Sequence, residues 1–388
     1  MRNDTTSMIH QKTPSFKDCH VEPIAMTAGY DFDSASDAND RFSSKSKGNI
    51  YSRFTNPNVD IFQNKVSILE NAEDSVAFSS GMAAYQAIAT CFLKKGDHII
   101  LANGIFGTTT SFFKNYIEKF DVAISVSDLI VRSISEAINS KTKIIFIESP
   151  TNPLLNIIDI KVLSEITQKL NIILVVDNTL LSPIFQKPLD LGATLSLNSA
   201  GKFFDGLGRC VGGTVSGSSE YISDLKTYLR HTGTCLSPFN AWILSNSLDT
   251  LEIRMLKHQS NAEIIFNWLT KCSKVKKIYS SFSSQTKSEL ISNLSGTDGD
   301  TPVISFEVFG DRKYAWDFID NLKLIIKCTN IGGSKTIVTH PASTTHGKYS
   351  AQEREKLGIS DSLIRISVGL ENPSDLIMDL EQTFASLE

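Results

Sequence analysis

Apolar positions in the middle of this chain switch repeatedly between two periods. Short apolar runs at His98 to Ala102, Lys143 to Glu148, Ile172 to Asp177, Thr194 to Asn198 and Val211 to Val215 are too brief for helices, so they predict strands. Between them, Met82 to Phe92, Thr108 to Phe120 and Ile160 to Leu170 carry apolar residues at helical spacing. Strand–helix alternation from about residue 60 to 217 predicts an α/β fold, a mostly parallel sheet covered on both faces. Ligands of such sheets bind outside the carboxyl ends of the strands, where Asp177 falls.

The register then changes. Ala241 to Cys272 predicts one long helix linking two domains, with Trp242, Leu244, Leu248, Leu251 and Met255 along it. Strand-like Thr301 to Val308 and Leu363 to Val368, with helical Tyr314 to Leu322 and Pro373 to Leu387, predict a smaller α+β domain. Ser280 to Asp300, rich in Ser, Thr and Gly, reads as a loop. Residues 1–48 are polar and read as an extended arm without a core of its own. The expected division is an arm over 1–58, a large domain over 59–250 and a small domain over 251–388.

Composition narrows the class. A chain of 388 residues with 41% hydrophobic and 21% charged residues has the balance of a soluble globular protein. A formal charge of −4 without a dense Lys/Arg stripe argues against nucleic acid as a partner. No apolar stretch reaches membrane-spanning length, and Met1 to Lys17 lacks a signal peptide's apolar segment. Six scattered cysteines without CxxC pairing read as reduced thiols of a cytoplasmic protein, and the histidines form no metal-ligand spacing.

Candidate chemistry centres on Lys202, in Ser199-Ala200-Gly201-Lys202-Phe203-Phe204 beyond one predicted strand, and on Asp177 at the end of the strand before it. An aspartate can pair with a protonated pyridine nitrogen, and a lysine desolvated in an apolar pocket forms a Schiff base with an aldehyde. Together they suggest pyridoxal phosphate and an enzyme of amino-acid chemistry. Ser79-Ser80-Gly81-Met82 opens a helix, either as an ordinary cap or as a phosphate site at a helix N-terminus. Arg365, inside apolar Leu363 to Val368, faces either solvent or a substrate carboxylate. Gly206-Leu207-Gly208 lacks the third glycine of a dinucleotide loop.

These residues lie within further motifs: Tyr51-Ser52-Arg53-Phe54-Thr55-Asn56-Pro57, Ser80-Gly81-Met82-Ala83-Ala84, Glu148-Ser149-Pro150-Thr151-Asn152-Pro153, Asp177-Asn178-Thr179, His340-Pro341-Ala342 with Thr345-His346, and Arg365-Ile366-Ser367-Val368-Gly369. From about Ile50 to its C-terminus the chain resembles the pyridoxal-phosphate enzymes of Cys/Met metabolism, the cystathionine γ-synthase-like family of fold type I. The resemblance implies Lys202 as the Schiff-base lysine, Asp177 as partner of the ring nitrogen and Asn152 as partner of the ring hydroxyl. It implies Ser199 and the amides of Gly81 and Met82 around the phosphate, Arg365 and Asn330 on the substrate, and Phe106 stacked on the ring. Tyr51 and Arg53 would reach the phosphate in a neighbouring subunit. That makes a homo-oligomer, a tetramer built of site-sharing dimers, the expected assembly.

Within that family, Phe106 in place of a stacking tyrosine and Lys335 in place of a γ-lyase glutamate point towards sulfhydrylases of O-activated homoserine, and Thr108 replaces the cysteine of methionine γ-lyases. Leu229 to Gly233, Leu236 to Asn240 and Asp205 to Arg209 resemble O-succinylhomoserine sulfhydrylases. The implied reaction is γ-replacement on an O-acylhomoserine by sulfide to give homocysteine for methionine biosynthesis. Cystathionine γ-synthase chemistry with cysteine, a γ-lyase, or a weakly active cofactor-binding paralogue are the alternatives. Gly201 replaces a usual phosphate-binding threonine, Asn198 a common histidine and Leu207 a polar residue. Loss of the threonine hydroxyl predicts weaker cofactor binding, by about 1.5–3 kcal/mol for a hydrogen bond to a charged group.

Overall fold

The computed structural model describes residues 3–12, 14–283 and 299–387, so most of the Ser280 to Asp300 loop expectation lies outside the described residues. The larger sheet has seven strands: β1 (Asp74–Phe78), β2 (His98–Ala102), β3 (Ala123–Ser127), β4 (Thr142–Glu148), β5 (Ile173–Asp177), β6 (Leu195–Asn198) and β7 (Gly213–Gly217). Their order is β1-β7-β6-β5-β4-β2-β3, and only β7 runs against its neighbours. Alternation explains the double covering. Ile99 and Leu101 join a cluster with the helices Gly81–Phe92 and Ser219–Thr232, while Ile100 and Ala102 pack on the opposite face with the helix Ile160–Lys169.

Because the other six strands share one direction, β1, β2, β4, β5 and β6 all release their chains at the same edge. Gly81, Phe106, Glu148, Asp177 and Lys202 follow or end those strands. The smaller sheet contains β8 (Val275–Tyr279), β9 (Val303–Val308), β10 (Ile326–Lys327), β11 (Ile337–Thr339) and β12 (Leu363–Ser367), in the order β10-β11-β12-β9-β8. The fold is thus α/β in two domains.

Several expectations need correction. The helix expected over Ala241 to Cys272 is two, Pro238–Leu248 and Leu251–Leu269, because the break lets Leu248 and Leu251 both reach the core. Thr108 to Phe120 is not one α-helix. A first segment Gly107–Phe112 widens into a π turn at Phe113–Ile117, which keeps Phe113 and Ile117 buried, and a tight turn at Glu118–Phe120 follows. The arm is not simply extended: it carries short helices at Asp4–Ile9 and Ala35–Phe42 and is pinned to the core of the body, where Met8, 1% exposed, packs with Phe62, Val66 and Leu69. Its middle is tied down as well: Trp242 Nε1 donates to the carbonyl of Glu22 at 2.8 Å and Asn58 Nδ2 to that of Pro23 at 2.9 Å. No helix among the described residues is long and apolar enough to cross a membrane.

Candidate active site

Lys202 stands in the turn that leaves β6. The turn is tied by the Lys202 amide donating to the Ser199 carbonyl at 3.1 Å and the Gly206 amide to the Lys202 carbonyl at 2.8 Å. Phe203 and Phe204 point into the core at 1% and 2% exposure and anchor the turn from below. The lysine amine donates to Asn330 Oδ1, across from the small domain. That approach depends on Gly332, at φ +77°, where a Cβ would lie 2.8 Å from the Phe203 nitrogen. Burial, and then the Arg365 charge, pushes the amine's pKa down. The uncharged, nucleophilic form is thereby favoured.

Asp177 ends β5 next to Glu148 on β4, the two being direct register partners. Tyr85 donates its hydroxyl to Asp177 Oδ2 at 2.8 Å, and the Thr179 amide donates to Oδ1 at 3.0 Å. Glu148 Oε2 accepts the Phe106 amide at 3.0 Å. Burial raises the pKa of both carboxyls, and the neighbouring Asp177 charge raises that of Glu148 further. Neither carboxyl has a cationic partner among the described residues, so the pair lacks one positive charge.

The helix Gly81–Phe92 begins beside this pair. Ser80 is its cap, with Oγ accepting the Ala83 amide at 3.1 Å. The amides of Gly81 and Met82 belong to the first turn, which offers them no carbonyl within the helix. A Cβ on Gly81 would lie 3.2 Å from Ser199 Cβ and 3.3 Å from its Oγ, so the glycine keeps the space between helix and lysine turn open. Ser199 is fixed in turn by its amide donating to Thr179 Oγ1 at 2.8 Å. Gly201 has a steric reason of its own: a Cβ there would meet the Cys210 carbonyl oxygen at 2.6 Å.

Arg365 is not on a solvated face. At 1% exposure it is the largest fully buried side chain of the described residues. Its guanidinium donates to Asn152 Oδ1 at 3.1 Å and to the carbonyls of Thr329 at 3.0 Å and Asn330 at 2.9 Å, while Nε has no partner among the described residues. Burial brings its pKa down to about 10. Its bonding partners are all neutral, a cation awaiting an anion.

Lys202, Asn330, Arg365 and Asn152 therefore form one chain of contacts, and Asp177, Thr179, Ser199 and Gly81 another. Phe106 lies at their margin with 43% exposure. Tyr51 and Arg53 stand apart. The Arg53 guanidinium lies 5.5 Å from the Tyr51 ring and 4.7 Å from the Phe54 ring, and donates to the Arg230 carbonyl. Sequence reasoning overlooked Tyr85, Glu148 and Thr179 as site residues. Glu148 was findable, since it ends a predicted strand inside a quoted motif. Tyr85 carried the weaker signal of one aromatic just past an alanine-containing first turn.

A phosphorylated pyridine aldehyde needs an anion at its ring nitrogen, amide donors at its phosphate and an amine at its aldehyde. The carboxyl pair, the open cradle at Gly81 and the Lys202 amine are of those three kinds, so the residues present fit pyridoxal phosphate. The comparisons agree. The chain is 40% identical to the O-succinylhomoserine sulfhydrylase of Pseudomonas aeruginosa, over 95% of this chain and 91% of that one. It is 36% identical to an L-methionine gamma-lyase of Fusobacterium nucleatum, over 93% and 92%. A putative O-acetylhomoserine (thiol)-lyase of Campylobacter jejuni, solved with a pyridoxyl-lysine phosphate, superposes with a TM-score of 0.92 at 28% identity, over 99% of this chain and 100% of that one. A model described as Cys/Met metabolism PLP-dependent enzyme matches residues 5–385. The chain is a member of that pyridoxal-phosphate-dependent enzyme family, with its fold type I architecture.

Proposed function

We propose that this enzyme replaces the γ-substituent of O-succinylhomoserine, or of its O-acetyl counterpart, by sulfide to form homocysteine. Pyridoxal phosphate supplies the aldehyde that takes up the substrate amine and the ring that withdraws electrons from it. Asp177 holds the ring-nitrogen proton. Gly81, Met82 and Ser199 hold the phosphate, and Asn152 the ring hydroxyl. Arg365 takes the substrate α-carboxylate by its planar fork, and Asn330 borders the same carboxylate. Lys202 Nζ, its proton affinity lowered by burial and by Arg365, removes the proton from Cα and then one from Cβ. The Cγ–O bond breaks as the acyl carboxylate departs, sulfide forms the Cγ–S bond, and Lys202 returns protons to Cβ and Cα.

Phe106 is the observation that carries this reading. Its loop is held by the Phe106 amide on Glu148, and its side chain has no proton to give. A carboxylate leaving group needs none, whereas a thiolate does. The 40% identity to an O-succinylhomoserine sulfhydrylase supports the same choice. The test offers O-succinyl- and O-acetylhomoserine, each with sulfide or cysteine, and identifies products by mass. Homocysteine should dominate; cystathionine as the main product would overturn the proposal in favour of a γ-synthase.

We also propose that Tyr51 and Arg53 serve the site of a second copy of the chain, and that the units 59–250 and 251–388 act as the two domains around each site. Mixing inactive Arg53→Ala and Lys202→Ala chains should recover part of the activity. No recovery, despite verified subunit exchange, would mean that Arg53 acts within its own chain.

A further inference from the structure

We propose that Tyr85 is a positioning residue for Asp177, holding its carboxylate ionised and oriented so that this chain's grip on the cofactor depends on a phenol outside the recognised motifs. The inference rests on the reading that Asp177 meets the ring nitrogen. The helix Gly81–Phe92 offers its open N-terminal turn to the phosphate cradle and, one turn further on, presents the Tyr85 hydroxyl to Asp177 Oδ2 at 2.8 Å. Tyr85 is 3% exposed, and its ring packs on Phe146 with centroids 5.4 Å apart, which leaves the hydroxyl little freedom.

The Thr179 amide and the Tyr85 hydroxyl each take one oxygen of the carboxylate, and the Thr179 side chain is a further donor to it, so its plane is fixed from both sides. The ionisable groups facing Asp177 are Glu148 from β4 and Tyr85 from the helix. Burial and the carboxyl charges of Asp177 and Glu148 push the phenol's pKa well up, so Tyr85 stays a donor. Without that donor, Oδ2 would be buried beside a second carboxyl, and Asp177 would take up a proton more readily. A neutral acid cannot pair with a protonated ring nitrogen. Cofactor binding is thus strongest above the Asp177 pKa and is lost as pH falls through it, and removing the Tyr85 hydroxyl moves that loss to higher pH.

The test compares wild type with Tyr85→Phe, which keeps the packed ring, and measures the cofactor dissociation constant by equilibrium dialysis across pH. Binding should weaken about tenfold at neutral pH, as expected for losing a hydrogen bond to a charged group, and by more in acid. An analogue with carbon in place of the ring nitrogen should bind both forms alike. Equal weakening of cofactor and analogue, or unchanged binding at every pH, would overturn the inference. If melting curves show Tyr85→Phe unfolded, Tyr85→Met carries the same comparison. Failure of the underlying reading looks different: Asp177→Asn would then leave cofactor binding unchanged at every pH, whatever Tyr85→Phe does.

Discussion

Asp177 and Arg365 are both buried and both without an oppositely charged partner among the described residues, yet the fold holds them differently. Asp177 sits where β5 ends, and its neighbour Glu148 is set by strand register alone. Arg365 lies mid-strand on β12, and its partners come from the loop at Thr329 and Asn330 and from Asn152 in the other domain. One charge is therefore placed by a ladder, the other by the packing of two domains. Together they lack a cation on one side and an anion on the other. An amino acid joined to a pyridine cofactor brings both: a protonated ring nitrogen and a carboxylate.

The largest effect should come from removing the lysine amine. Lys202→Ala should lose activity on the order of a thousandfold, the scale of a positioned general base, together with the lysine-dependent absorbance band. Asp177→Asn and Arg365→Lys should then separate the two sides. Asp177→Asn should raise the cofactor dissociation constant and depress kcat by about a hundredfold, by loss of a buried charge partner. Arg365→Lys should raise KM for the acyl-homoserine by about tenfold, through loss of the bidentate fork, and leave cofactor retention unchanged. If Arg365→Lys released the cofactor as readily as Asp177→Asn does, the division of labour would be wrong.

Glu70 provides the control, a buried acid that faces no ligand. It is fully buried, accepts Asn198 Nδ2 at 2.6 Å through Oε1, and has no partner for Oε2 among the described residues. Burial pushes its pKa up from 4.5 to about 7. The folded state therefore holds the proton more tightly than the unfolded state. The group costs nothing below pH 4.5, and its penalty grows between 4.5 and 7 and is complete above. Glu70 should account for a loss on the order of 3 kcal/mol across that window, and Glu70→Gln should lower the difference between urea melts at pH 5 and 8, while the other buried carboxyls, Asp60, Glu148 and Asp177, keep their share of it.

Gly201→Thr should give the smallest change, in the direction opposite to the one its missing hydroxyl predicts. The added Cβ would press on the Cys210 carbonyl at 2.6 Å, so the variant should be less stable by about 1–3 kcal/mol in melting experiments and gain no cofactor affinity. A tighter cofactor without loss of stability would show that the turn can shift aside.

Much of the larger domain was legible because its strands are short apolar runs buried on both faces, a pattern that needs no knowledge of partners. The strands β1, β3, β8, β10 and β11 were not: Asp74–Phe78 offers only three apolar residues in a row. Ala123–Ser127 and Val275–Tyr279 are largely half-buried or exposed, and Ile326–Lys327 and Ile337–Thr339 are only two and three residues long. The broken helix at Asp249 was hidden for another reason: helical periodicity continues through a break whose cause is where the two leucines must go.

The sequence by itself determined the chemistry available at this site, an amine, carboxyls, a glycine-opened helix turn and an arginine, because residue types and local periods are properties of the chain. Only the tertiary structure decided which groups meet. Parallel strand order brings Glu148 beside Asp177, domain packing turns Arg365 from a strand residue of undecided facing into a buried cation, and a helix docked against β7, β1 and β6 delivers Tyr85 to the carboxylate. Such contacts join residues as many as 213 positions apart. No local pattern encodes that proximity, because it arises only when separate elements bury their faces together.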